Sequence, residues 1–132
     1  MNIPTLDGID HVHVYVTDRA AAERWYRDIL GFTAVEKFRF WATPDGPLTL
    51  EDPAGRIHLA LFESGKFPHT SMIAFGASGE EFLTWKTYLE GRGVELRISD
   101  HDAAWSMYFS DPFDNLHEIT TYDHDFVTRQ LG

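Results

Sequence analysis

The sequence contains no cysteine, which excludes disulfide bonds and thiolate ligands. Any metal site must therefore use histidine, carboxylate or weaker donors. Basic residues are scarce, since 11 lysines and arginines stand against 21 acidic residues and give a formal charge of −10. A nucleic-acid-binding surface needs a basic face, so this balance argues against nucleic acid as a partner. A neutral or cationic small molecule suits the charge better than a strongly anionic one.

Long apolar runs are also missing. No stretch approaches the roughly 20 apolar residues of a membrane-spanning helix, so no membrane association is predicted. The opening residues, MNIPTLDGID, lack a basic segment followed by an apolar one, and no signal peptide is predicted. A cytoplasmic location is the simplest interpretation. A hydrophobic content of 43% over 132 residues is enough for one packed domain, residues 1–132.

Residues 9–32 predict a strand followed by a helix that ends at a glycine. In the segment HVHVYV, residues 11–16, valines alternate with histidines and a tyrosine. This period of two predicts a strand with a packed face and an open face, which carries the histidines. Thr17 or Asp18 is expected to cap the following helix, and Gly31 to end it.

The same layout begins again at Met72. Ser78 and Glu81 form a capping box for a second helix, which glycines at 91 and 93 are expected to end. Further strands are predicted at residues 32–41, 48–51, 56–62, 94–99, 104–110 and 116–122, followed by a polar tail at 123–132. The sequence therefore predicts an α+β fold of two repeated βαβββ modules, at about 8–64 and 70–123.

Alternation in the strands predicts a group of side chains that could bind a metal. His58 follows His11 by 47 residues, and Glu118 follows Met72 by 46, so the four occupy matching positions of the repeat. If the modules pair about a pseudo-twofold axis, these open-face positions converge. His11, His58 and Glu118 would then form a site of two histidines and one carboxylate, suited to Fe(II) and compatible with Mn, Zn, Ni or Co. His11 alone is more simply a structural histidine.

Aromatic and apolar side chains are predicted to form a substrate pocket on the same open faces. Their composition favours an apolar or aromatic substrate, although the same residues could serve as core or dimer contacts. The pocket residues are Tyr15, Phe38, Phe40, Trp41, Phe62, Met72, Trp105 and Tyr108.

The segments DHVHVYVTD, AERWYRDILGF and YFSDPFDNLHEI resemble the vicinal oxygen chelate superfamily. That superfamily includes glyoxalase I, bleomycin-resistance proteins, fosfomycin-resistance enzymes and extradiol dioxygenases. The resemblance covers about residues 9–122 and implies a cupped mixed sheet of two βαβββ modules, commonly completed as a homodimer. It also implies one divalent metal ion, with ligand positions on strands one, four, five and eight at His11, His58, Met72 and Glu118.

Met72 departs from the family pattern, because extradiol dioxygenases and fosfomycin-resistance enzymes usually carry histidine there. The resemblance implies a metal-dependent enzyme that chelates a small oxygenated molecule through two neighbouring oxygens. A glyoxalase-like lyase or isomerase is favoured, with Glu118, if it leaves the metal, or His13 as the catalytic base. Two alternatives stay open: a ring-cleaving extradiol dioxygenase, which is an oxidoreductase, and a metal-free ligand-sequestering protein like the bleomycin-binding members.

Overall fold

The computed structural model describes residues 3, 8–65 and 72–132. The chain divides into two compact units, unit 1 at Met1–Phe67 and unit 2 at Pro68–Gly132. Each unit contains a four-stranded mixed sheet and helices, so the fold is α+β with two repeated modules. The end of the predicted connector at 63–68 and the predicted start of the second module at residue 70 lie outside the described residues. None of the described helices is long and apolar enough to cross a membrane.

Unit 1 has the strand order β1-β4-β3-β2. Strand β1 runs parallel to β4, and the other neighbouring strands are antiparallel. Its elements are β1 (Val12–Val16), α1 (Arg19–Trp25) continued by a π-helical turn (Tyr26–Leu30), β2 (Thr33–Ala34), a 3-10 helix (Glu36–Trp41), β3 (Leu48–Glu51) and β4 (His58–Glu63).

Helix α1 begins and ends where the sequence predicts. The side chain of Asp18 accepts a hydrogen bond from the amide of Ala21 at 3.0 Å, which makes Asp18 the cap. Gly31 has a φ of +78°, the left-handed conformation that ends the π-helical turn. Ala22 and Tyr26 are fully buried, so the apolar stripe of the helix faces the packed side of the sheet.

The predicted strand at residues 32–41 is wrong over most of its length. The strand is only Thr33–Ala34, and Glu36–Trp41 forms the 3-10 helix instead. Glu36 and Arg39, which lie one 3-10 turn apart, form an ion pair of 2.8 Å. The alternation in KFRFW fits a strand equally well, so local pattern alone could not separate the two structures.

Unit 2 repeats the topology with the strand order β5-β8-β7-β6. Strand β5 runs parallel to β8, and the remaining neighbours are antiparallel. Its elements are β5 (Met72–Gly76), α2 (Gly79–Gly91), β6 (Arg97–Asp100), β7 (Trp105–Ser110), β8 (Leu116–Thr121) and α3 (His124–Leu131). The predicted cap of α2 is confirmed, because Ser78 Oγ accepts a hydrogen bond from the amide of Glu81.

The predicted polar tail at residues 123–132 is wrong, since most of it forms α3. Val127 is fully buried, and α3 packs against the start of α2. The contact is close: a Cβ added to Gly79 would lie 2.7 Å from Asp123 Oδ2 and 2.8 Å from Phe126. The helix is stabilised by this tertiary packing, which a short polar segment does not reveal by itself.

The strand faces follow the predicted alternation. In β4, Leu59 and Leu61 are fully buried while His58 is half-buried. In β8, His117 and Ile119 are buried while Glu118 is half-buried. The side chains of His58 and Glu118 therefore lie on the open faces of their own sheets.

Candidate metal and substrate site

The register of β1 and β4 brings two predicted metal ligands together in unit 1. The first pair of the parallel ladder is Val12 and Leu59, so one residue earlier His11 lies beside His58. Neighbouring strands are about 4.8 Å apart, and side chains of one phase project from the same face. Both histidines line one cleft of about 290 Å³. We call this the unit 1 cleft.

Both ring nitrogens of His11 have side-chain partners. Its Nδ1 lies 2.8 Å from Asp10 Oδ2, and its Nε2 lies 3.1 Å from His13 Nε2. A carboxylate beside Nδ1 favours the proton on Nδ1, so His13 donates and His11 Nε2 accepts. Carboxylates orient many metal-binding histidines in this way, leaving Nε2 as the donor atom. His13 would have to turn aside for a metal to bind there.

His58 also has a carboxylate partner, which the sequence analysis missed. Its Nε2 lies 3.2 Å from Glu51 Oε2, because β3 and β4 pair these two residues directly. The β3–β4 turn fixes that register: Asp52 Oδ1 accepts hydrogen bonds from the amides of Arg56 and Ile57. The alternation of LTLE and this tight turn were the signals that could have identified Glu51. For Asp10 there was only its position next to His11.

Two aromatic rings form a wall of the unit 1 cleft. Phe38 and Trp41 stack with centroids 4.3 Å apart and an interplanar angle of 4°. Among the described residues that line the cleft, none is lysine or arginine, so the cleft suits a neutral or cationic ligand. The lining residues are Asp10, His11, Phe38, Trp41, Pro47, Thr49, His58 and Ala60.

Three other predicted pocket residues of unit 1 lie elsewhere. Tyr15 stacks on Phe62 at 5.5 Å, and Phe62 is 4.8 Å from His13. These rings continue the open face along β1 and β4. Phe40 is 72% exposed and tilts against Trp41 outside the lining of the cleft.

In unit 2, Glu118 lies in the middle of the sheet. It is level with Ala74 on β5 and with Tyr108 on β7. Ser106 Oγ donates a hydrogen bond of 2.6 Å to Glu118 Oε2. This bond orients the carboxylate and leaves its other oxygen for a second partner.

Met72 is level with Leu116, two residues before the position level with Glu118. The two side chains share the open face but are diagonal neighbours, and Met72 is 50% exposed. The thioether is a soft, weak donor compared with the histidine that the family pattern has there.

The last two predicted pocket residues differ in orientation. Tyr108 lies on the face of Glu118, with its hydroxyl 2.9 Å from His101 Nε2 and the guanidinium of Arg97 4.3 Å from its ring centroid. Trp105 is three residues earlier and lies on the opposite face. Its Nε1 donates to Thr128 of α3 at 2.9 Å, so it contacts that helix.

The predicted ligands fit a first-row divalent ion by their chemistry, since imidazole nitrogens and one carboxylate suit such ions. His11 and His58 belong to unit 1, and Glu118 belongs to unit 2. Within residues 3, 8–65 and 72–132, no group of three or more histidine, aspartate or glutamate side chains is arranged to hold a metal ion. The triad remains a prediction.

Known structures share this architecture. An integron cassette protein from a Halifax Harbour sewage-outfall metagenome is 24% identical, with a TM-score of 0.76 over 88% of this chain and 99% of that one. Lactoylglutathione lyase from Agrobacterium tumefaciens is 23% identical, with a TM-score of 0.73 over 91% and 97%. Fosfomycin resistance protein FosX from Listeria monocytogenes, complexed with Mn(II) and sulfate, is 16% identical, with a TM-score of 0.66 over 97% and 100%. At these identities the similarity establishes the fold.

The sequence itself gives the family. No curated protein matches it significantly. A sequence profile of the glyoxalase/bleomycin resistance protein/dioxygenase superfamily matches residues 8–119, which is most of the chain. The matched range includes both histidines of the unit 1 cleft and Glu118. The chain therefore belongs to the glyoxalase/bleomycin resistance protein/dioxygenase superfamily.

Proposed function

We propose that this protein is a metal-dependent enzyme of its superfamily. Its substrate would be a small oxygenated molecule bound through two neighbouring oxygens, and its reaction a glyoxalase-like lyase or isomerase step. The observation that carries the proposal is the pair His11 and His58, which directly precede the first pair of the β1–β4 ladder and line one cleft. The structural relatives include a lactoylglutathione lyase and an Mn(II) complex of a fosfomycin resistance protein, which supports chemistry of this kind.

In this proposal His11, His58 and Glu118 hold one divalent ion, and two imidazoles with one carboxylate suit Fe, Mn, Zn, Ni or Co. When bound, the ion supplies Lewis-acid polarisation of the two substrate oxygens. Asp10 fixes the ring of His11 through Nδ1, and Ser106 fixes one oxygen of Glu118. Such outer partners keep ligands in place before the metal arrives.

The chain also offers groups that can move a proton. A proton next to a carbonyl needs a base within hydrogen-bond reach. The ring nitrogen of His13 that does not donate to His11 and the carboxylate of Glu118 are the two candidates. The ring of Phe62 lies 4.8 Å from the ring of His13 and gives it an apolar neighbour on the open face.

The remaining partners follow from charge and family. A net charge of −10, and a cleft whose described lining includes no lysine or arginine, favour a neutral or cationic small molecule over nucleic acid. A homodimer and a cytoplasmic location, as the resemblance and composition imply, belong to the same proposal.

One observation favours a second function, a metal-free ligand-sequestering protein. The imidazoles of His11 and His58 already have protein partners, at 2.8 Å from Asp10 and 3.2 Å from Glu51. Of the two carboxylates, Asp10 lines the cleft and gives it an acidic side that would attract a cationic ligand. A protein of this kind needs the cleft but not the triad.

The two functions are distinguished by the metal content of protein purified without an affinity tag under anaerobic conditions, measured by elemental mass spectrometry. Zn, Ni, Co or Mn at about one ion per chain supports the lyase or isomerase. Iron at that occupancy would favour the ring-cleaving dioxygenase, with catechols as the first substrates to assay. Protein that contains no metal and takes none up on addition would contradict the enzyme and favour the sequestering function.

A further inference from the structure

The aromatic wall of the unit 1 cleft has little support from the core. Phe38 and Trp41 belong to the 3-10 helix Glu36–Trp41, which has no buried residue. Trp41 is 43% exposed. Rings that line a cleft without being buried in the core need another means of support to hold one orientation.

Helix α1 provides that support through two polar contacts. The guanidinium of Arg19 donates hydrogen bonds to the carbonyls of Ala42 and Thr43, both at 3.0 Å, and to that of Gly46. One turn later on the same helix, Glu23 accepts a hydrogen bond of 2.8 Å from Arg39. Residues four apart lie on one face of a helix, so both contacts hold the wall from the same side.

The loop that Arg19 holds follows directly from Trp41. The amide of Thr43 donates to the Trp41 carbonyl at 2.8 Å, and the amide of Gly46 donates to the Thr43 carbonyl. A Cβ at Gly46 would lie 2.0 Å from the Trp41 carbonyl oxygen, so only glycine fits this turn. The position of Arg19 therefore determines where the backbone of Trp41 lies.

We propose that Arg19 is a positioning residue that sets the Phe38–Trp41 wall to accept a flat ring. This rests on the proposed function, because it assumes that the unit 1 cleft is the ligand site. Stacked rings favour a planar third partner over a puckered ring of the same size. A cleft of about 290 Å³ has room for it, since a cavity of about 150 Å³ holds benzene. The cleft also offers the hydroxyl of Thr49 as a polar group.

The test compares two probes with the same pair of neighbouring oxygens: catechol, which is flat, and trans-cyclohexane-1,2-diol, which is puckered. Affinities are measured by calorimetry on metal-free protein, so that the result does not depend on metal binding. We expect the wild type to prefer catechol by about tenfold, the scale of one aromatic contact. Arg19→Ala and Trp41→Leu should each abolish most of that preference. Arg19→Lys should not restore it, because one ammonium group cannot reach three carbonyls in the fork geometry of a guanidinium.

A double-mutant cycle separates positioning from general loss of stability. If Arg19 acts through Trp41, adding Arg19→Ala to Trp41→Leu changes the preference no further. Arg27→Ala is the matched control, because Arg27 lies on the π-helical turn that continues α1 and pairs with its neighbour Asp28 at 2.9 Å; it should leave the preference unchanged. Equal affinity of the wild type for both probes would overturn the ring specificity. Additive effects in the cycle, or an equal effect of Arg27→Ala, would overturn the role of Arg19. Failure of the metal site would leave these results unaffected.

Discussion

The two units share a topology but place their side chains differently across the central pair of parallel strands. In unit 1, a β1 residue lies beside the residue 47 positions later on β4, whereas in unit 2 the β5–β8 interval is 44. His11 is therefore level with His58, but Met72 is level with Leu116 and Glu118 with Ala74. Nearly equal intervals in the sequence thus hide a shift in register. A repeated fold does not give a repeated site.

The units also differ in what covers the sheets. Unit 1 replaces most of its second strand with the 3-10 helix, which carries the aromatic wall of the cleft. Unit 2 keeps the corresponding strand, β6, and adds α3, whose Val127 is fully buried. The first unit has a cleft between a helix and its sheet, and the second has additional packed structure. Stability changes should therefore be largest in unit 2, and ligand effects in unit 1.

The largest stability effect that we expect concerns His117 of unit 2. Burial lowers the pKa of His117 to about 4, against 6.5 for the free side chain, while Asp111 opposes the shift. The unfolded chain therefore binds a proton below pH 6.5 that the folded chain binds only below about 4. The free energy of unfolding is therefore not reduced by His117 above pH 6.5, and it falls by about 3 kcal/mol as the pH decreases from 6.5 towards 4.

Urea unfolding of the wild type and His117→Gln between pH 4 and 7 measures this effect. As the pH falls from 7 to 4, the unfolding free energy of the wild type should drop by about 3 kcal/mol more than that of His117→Gln, because the variant lacks the titrating ring. His101→Gln, which changes an exposed histidine, is the control. Parallel pH profiles for the wild type and His117→Gln would show that burial of the ring is not linked to protonation.

A smaller effect tests the packing of α3 on α2. Gly79→Ala places a Cβ 2.7 Å from Asp123 Oδ2 and should destabilise the protein by about 1–3 kcal/mol through overpacking. Gly91→Ala, at the other end of the same helix, meets nothing within 4 Å and should be neutral or stabilising by up to about 1 kcal/mol. Thermal unfolding of both variants gives the comparison. Equal losses would mean that α3 is not fixed at Gly79.

Met72→His tests whether the register shift in unit 2 removes a ligand position. Met72 and Glu118 are diagonal neighbours on one face, a separation that long side chains can bridge. An added imidazole should therefore raise the affinity for Mn²⁺ by about tenfold or more, since imidazole is a far better ligand than a thioether. Tyr122→His, at an exposed position after β8, controls for surface binding. If both variants bind equally, position 72 does not face the metal.

The smallest effect concerns His124 at the start of α3. A hydrogen bond of 2.7 Å to Asp100 raises the pKa of His124, and burial opposes the shift only partly. The stabilisation that the His124–Asp100 pair gives the folded protein is complete below pH 6.5 and is lost as the pH rises through the raised pKa of His124. This pH dependence is opposite in direction to that of His117. Hydrogen exchange of the α3 amides should therefore accelerate from pH 6 to 8, beyond the intrinsic increase, and Asp100→Asn should abolish that extra acceleration. An unchanged profile in Asp100→Asn would exclude the pair as its source.

Local patterns in the sequence predict much of this fold. The alternation of residues 11–16 gives the faces of β1, and the spacing of Ser78 and Glu81 gives the start of α2, because each depends on neighbours within one turn or strand. The resemblance to the superfamily rests on the two ends of the segment, around His11 and Glu118, and the profile match over residues 8–119 shows the membership.

The features that were missed depend on contacts between distant residues. The 3-10 helix is held by Glu23, which lies 16 residues before its partner Arg39. The buried position of Val127 is created by tertiary packing, and the partnership of Glu51 with His58 depends on strand register. Whether Glu118 joins His11 and His58 at one metal stays a prediction, because it depends on how the two repeats come together.

The central proposal is that His11, His58 and Glu118 bind one metal ion, and titration of metal-free protein with Mn²⁺ tests it most directly. Calorimetry on the wild type should give about one ion per chain. His11→Ala, His58→Ala and Glu118→Ala should each weaken binding by about 100-fold or more, since loss of a ligand exceeds the 10–100-fold effect of an outer partner. Met72→Ala should bind as tightly as the wild type. Equal binding by all four variants would contradict the two-histidine, one-carboxylate site.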